Sequence, residues 1–165
     1  MRLPRLVLFG LLTLGAATSA AAQGAIKNRL TLSGITITFP TVTEANYDAG
    51  FVAASNSITF TFDASKAGGA NSGTQRTSIV SVKATTTTMG GTKAIGDLQW
   101  RRSDLATWNS LSTTDATIES RQFVFNGLND PWSNTVFFRT VLNWATDTPA
   151  TYSATLTFTL TITTP

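Results

Sequence analysis

The chain of 165 residues contains neither cysteine nor histidine. Without cysteine there is no disulfide, no thiol nucleophile and no residue to carry the lipid of a bacterial lipoprotein. Without histidine the Ser-His-Asp and Cys-His triads are excluded, and so are histidine-built zinc sites. Charge is scarce too, at 13% of residues, and no Ser-x-x-Lys nucleophile motif occurs. The D-x-[DN]-x-[DN]-G calcium loop is also missing. No apolar run reaches the length of a membrane-spanning helix. What remains for acid–base work is the set of nine carboxylates, Glu44, Asp48, Asp63, Asp97, Asp104, Asp115, Glu119, Asp130 and Asp147. Most of them stand beside turn residues, where Asp bonds local backbone, so the reading is of a protein that is not an enzyme. No catalytic residue, metal ligand or cofactor is assigned.

The first 22 residues read as an address. Arg2 and Arg5 precede the apolar stretch Leu6 to Gly15, and small residues follow up to Ala20-Ala21-Ala22. This is the pattern of a cleavable signal peptide, which places the remaining 23–165 outside the cell as one domain. Removing Arg2 and Arg5 leaves 10 basic against 9 acidic residues, a net charge of about +1. Only Arg101-Arg102 stand together, so no basic patch tracks phosphates and nucleic acid is not an expected partner.

In place of charge the chain has threonine, serine and alternating apolar residues. From Tyr152 to Ile162 the even positions are Tyr, Ala, Leu, Phe, Leu and Ile, while the odd positions Ser153 to Thr161 all carry hydroxyls. Side chains alternate across a strand, so the run forms one with a buried and a wet face. It predicts Leu156, Phe158 and Leu160 inside and Thr155, Thr157 and Thr159 outside. Ile58-Phe60-Phe62, Val80-Val82-Ala84 and Leu98-Trp100 repeat the pattern, with Ser103-Asp104 turning the chain toward Trp108 and Leu111. Phe123 and Phe125 precede a turn at Asn126-Gly127, and Gly68-Gly69 marks another. In Thr135 to Trp144, Val136, Phe138, Leu142 and Trp144 share one parity, Phe137, Val141 and Arg139 the other, as in a central strand.

No sustained helical period appears. These runs predict an all-β chain, an antiparallel immunoglobulin-like β-sandwich of about seven to nine strands. Period two alone leaves a small outer-membrane β-barrel of about eight strands open as well. Tyr152, just after the Asp147-Thr-Pro149 turn, fits either a tyrosine corner bonding upstream backbone or an ordinary tyrosine at the core edge.

Near the front, Leu30 and Leu32 share one parity and Ile35, Ile37 and Phe39 the other, with Gly34 between. Such a phase change reads as a strand that switches sheets. The alternative is donation: residues 24–39 pair with a neighbouring copy and link subunits head to tail. Among the four tryptophans, Trp100 and Trp144 follow core parity. Trp132, beside Asp130-Pro131, and then Trp108 are the candidate ligand-binding rings, for stacking on a polysaccharide.

The final strand also carries a resemblance. Tyr152-x-x-x-Leu156-x-Phe158-x-Leu160 with the terminal Pro165 resembles the distal motif of WxL-type bacterial surface domains, Phe158 standing in place of the tryptophan. The first motif of that family has no match, since Trp108-Asn-Ser-Leu111 is one residue too long. Pilin-like and spore-coat-U-like secreted sandwiches end in similar Thr/apolar strands. The resemblance implies a cell-surface or extracellular-polymer role. The functional expectation is therefore a secreted structural or adhesive protein of the bacterial surface or matrix, with other surface proteins or copies of itself as partners. A carbohydrate-binding module is the alternative.

Overall fold

The computed structural model describes residues 26–66, 75–124 and 131–163. The expected signal peptide, the turns at Gly68-Gly69 and Asn126-Gly127, Phe125 and Pro165 lie outside the described residues. The alternating runs become strands: β1 (Ile26–Leu32), β4 (Ile58–Lys66), β5 (Gln75–Ala84), β6 (Leu98–Arg102), β8 (Ala116–Val124), β9 (Trp132–Val141) and β10 (Ser153–Thr163). Three shorter strands join them, namely β2 (Thr36–Thr38), β3 (Phe51–Ala53) and β7 (Asn109–Ser110).

One sheet runs β1-β4-β9-β6-β7, with β3 lying beyond the end of β4 on the same edge of β9. The second sheet runs β2-β10-β5-β8. Every pairing is antiparallel. The two ladders share no strand, and a common apolar core fills the space between them. The fold is an antiparallel β-sandwich, and among the described residues its two sheets do not join into one closed barrel.

The core follows from strand parity. Ile58, Phe60 and Phe62 of β4, Val136 and Phe138 of β9, and Leu98 and Trp100 of β6 point inward from the large sheet. Val80, Val82 and Ala84 of β5 meet them from the other side, with Ile37, Tyr152, Ala154 and Leu156. Between β5 and β8, Val80 pairs with Glu119 and Ser81 with Thr117, so Ile118 is an extra residue that bulges β8 and is buried.

Two expectations need correction. In β10 only the first half of the apolar face is fully buried; Leu156 is 2% exposed, whereas Phe158 and Leu160 are partly exposed. The strand runs past the deep core, and Leu160 and Ile162 are covered by a smaller cluster around Phe62 and Trp132. Trp144 is not a core residue but 58% exposed. β9 ends at Val141, and parity says nothing once the chain leaves the strand.

Residues 33–35 carry the chain from β1, paired with β4, to β2, paired with β10. The described part of 24–39 thus pairs within its own chain, as the sheet-switching alternative requires. A short helix, α1 (Glu44–Ala49), follows; six residues are too few to show a helical period. Its signals are local: the backbone N–H and hydroxyl of Thr43 each bond Asn46 Oδ1 at 2.9 Å. Gly50 ends it at φ 75°, a left-handed conformation that glycine adopts without strain.

Candidate functional site

The outward residues of the large sheet are set by the same parity that builds the core. Gln99 and Arg101 of β6, Phe137 and Arg139 of β9, and Phe51 of β3 all face away from it. Register aligns them, with Arg101 opposite Phe137 and Gln99 opposite Arg139. Arg139 also stands opposite Ala53, two residues from the Phe51–Val141 pair and so on the same face. Trp108, at the entry to β7, folds back onto this face.

The result is an alternating row of rings and guanidinium groups. The Arg139 guanidinium carbon lies 5.1 Å from the Phe51 ring centre and 4.4 Å from that of Trp108. The Arg101 carbon lies 5.2 Å from Trp108 and 5.1 Å from Phe137. Each guanidinium is also held at its edge: Arg139 Nε donates to Gln99 Oε1 at 2.8 Å, and Arg101 donates to the Leu105 carbonyl at 2.8 Å. Cation–π contacts of this kind fix position without neutralising charge. Among the described residues no carboxylate lies within ion-pair distance of Arg101 or Arg139. Arg29 and Lys83, by contrast, each face one, and Lys93 and Arg102 each face two.

A shallow cleft of about 450 Å³ opens beside the row, lined by Ala53 to Ser57, Arg101, Trp108, Phe137 and Phe138. Phe51 and Phe137 are each 38% exposed, and Leu105 is 47% exposed. The face therefore offers flat apolar surface, two positive charges without a carboxylate partner among the described residues, and the hydroxyl-bearing Ser55 and Ser57 in the cleft lining.

Of the two expected ligand-binding rings, Trp108 belongs to this face. Trp132 does not: it is the first residue of β9, half-buried, edge-on to Phe60 at 5.8 Å and tilted against Phe62 at 5.3 Å. The Arg121 guanidinium covers it at 5.3 Å. Trp100 is buried as its parity requires. Trp144 stacks on Tyr47 with ring centres 4.5 Å apart.

A second polar cluster lies where the loops after β5 and β9 meet. Lys93 has a side chain only 4% exposed, and its Nζ donates to Asp147 Oδ2 at 2.6 Å and to Asp97 Oδ2 at 2.9 Å. Burial works against the Lys93 charge, but the bonds to Asp147 and Asp97 outweigh it, and the pKa is raised. Asp147 Oδ2 also accepts the Asn143 N–H at 2.8 Å. Two hydroxyls tie the same loop to the core: Tyr47 donates to the Asp147 carbonyl at 3.0 Å, and Tyr152 to that of Thr148 at 2.8 Å. The Tyr152 bond is the tyrosine-corner alternative realised, four residues upstream.

A small cavity of about 150 Å³ adjoins Lys93, Asp147 and Tyr152, but Asp97 does not line it. The two carboxylates share one ammonium group that sits between them, so they do not face each other across a space for a substrate. Arg102 bridges Asp104 and Glu119 in the same way. Its hydrogen bond holds the Asp104 carboxyl well below the usual range. These acids tie loops and strands together. Among the described residues no helix is long and apolar enough to cross a membrane.

Compared with family models, with characterised proteins and with solved structures, the chain returns no match.

Proposed function

We propose that the chain is a non-catalytic adhesive protein of the bacterial cell surface or extracellular matrix, exported by its N-terminal segment. One observation carries the reading: on the open face of the large sheet the rings and guanidinium groups hold one another in place, and among the described residues no carboxylate pairs with Arg101 or Arg139. Side chains fixed before contact lose little entropy on binding, which suits recognition. Four of the described carboxylates are bridged in pairs, Asp97 with Asp147 by Lys93 and Asp104 with Glu119 by Arg102, which leaves them little freedom for proton transfer. The basic, apolar and small-residue stretches of 1–22 and the surface-domain resemblance of the last strand support the location.

The test is to fractionate producing cells and to add the labelled, purified chain to them. Saturable retention on intact cells, with a mature product beginning at Gln23, is the expected outcome. Exclusive recovery from the cytoplasm without cell binding would overturn the reading.

A further inference from the structure

We propose that the Arg101–Trp108–Arg139 row binds an anionic polysaccharide, one bearing carboxylate or sulfate groups along its length. This rests on the adhesive reading and names its ligand. Both guanidinium groups touch the same indole ring, so their charges lie within about 10 Å of one another. Two like charges so placed repel, and neither has a carboxylate partner among the described residues. An anion laid across them relieves that repulsion and gains charge-assisted hydrogen bonds from the free guanidinium edges.

The apolar components point to sugar. Phe137 and Phe51 flank the cations and expose ring surface on which the C–H faces of pyranose units can rest. Ser55 and Ser57 supply hydroxyl groups at the cleft rim. The Asn56 amide is already used: it accepts the Thr38 N–H at 3.1 Å and donates to the Thr36 carbonyl at 2.9 Å. A volume of about 450 Å³ suits a short stretch of a chain molecule.

An acidic peptide fits less well. The row lies over β9, which is paired on both edges, so a peptide there finds no free backbone groups to extend the sheet. Nucleic acid would demand a longer basic track than two guanidinium groups.

Titration calorimetry on the purified full-length chain, with five probes, decides the matter. Polygalacturonate is bound, more weakly as salt rises, and sulfated dextran likewise; unmodified dextran, poly-glutamate and single-stranded DNA are bound at least about tenfold more weakly. Arg101→Gln and Arg139→Gln each weaken polygalacturonate binding by about tenfold or more, the loss of one charged hydrogen bond. Arg139→Lys keeps the charge and loses part of the affinity, while Lys83→Gln, whose partner is Asp115, changes nothing. Thermal melts identify any variant that has lost its fold, and the lysine variant then carries the comparison.

Equal binding of plain dextran overturns the role of charge, and equal binding of poly-glutamate or DNA overturns the sugar. Retention on cells without binding to any polysaccharide sinks this inference but leaves the adhesive reading standing. Loss of both sinks the two together.

Discussion

Lys93 is the residue on which the fewest substitutions should be tolerated. Its ammonium group is buried against Asp147, so Asp147→Ala leaves it only the half-exposed Asp97 and should cost roughly 1.5–3 kcal/mol in denaturant unfolding, the loss of a charged hydrogen bond. Asp97 is half-exposed, and Asp97→Ala should cost less than about 1 kcal/mol. The sign of the pH effect follows from the raised Lys93 pKa. In the unfolded chain the group loses its proton near 10.5, while the folded chain keeps it to higher pH. The stabilisation is therefore complete below pH 10.5 and is lost as pH rises through the folded value. Melting temperature should fall above that point, and less steeply in Lys93→Met. Burial raises the Tyr152 hydroxyl as well, with the same sign, so Tyr152→Phe is the companion measurement. At neutral pH that variant loses the bond to Thr148 and should cost about 0.5–1.5 kcal/mol.

β10 shows how an element can be legible in its pattern and still mislead in its depth. Leu156→Ala should cost roughly 2–5 kcal/mol, as for a fully packed aliphatic residue. Phe158→Ala, made at a partly exposed site, should cost less than about 3 kcal/mol despite the larger side chain. The reverse order in equilibrium unfolding would show that the core extends further along the strand. Period two gave the faces of β4, β5, β6 and β9 because alternation is a property of the strand itself. It gave no depth, which depends on what the opposite sheet places above each residue. The same limit explains the candidate site. Arg101, Phe137 and Arg139 stand at outward positions of expected strands, and that signal was present. Their meeting with Phe51 and Trp108 depends on register between strands far apart in sequence. Lys93 sits in a Gly-rich turn with no period to mark it, and α1 announced itself only by Thr43, Asn46 and Gly50.

The whole molecule depends on its first two strands for both sheets. A chain beginning at Thr41 lacks β1 and β2, which leaves long stretches of β4 unpaired on one side and the start of β10 open. It should lose its cooperative melt and associate, as read by circular dichroism and size-exclusion chromatography. Recovery of a stable monomer would show that the two strands are dispensable to the sandwich. Partner positions in the sheets also lie far apart along the chain. Thr36 meets Thr155, Ile58 meets Val136 and Val82 meets Phe158, while among the described residues the short β6–β7 hairpin and the Thr88–Ala94 bridge join close neighbours. Each such pairing closes a long loop before any contact repays it, so refolding should take milliseconds to seconds rather than microseconds. During that interval β10, which enters its sheet last in chain order, is an unpaired Thr/apolar ribbon available to other copies. Time, more than final stability, then limits the yield: stopped-flow rates should be independent of concentration, while the recovered fraction falls as the chain is concentrated.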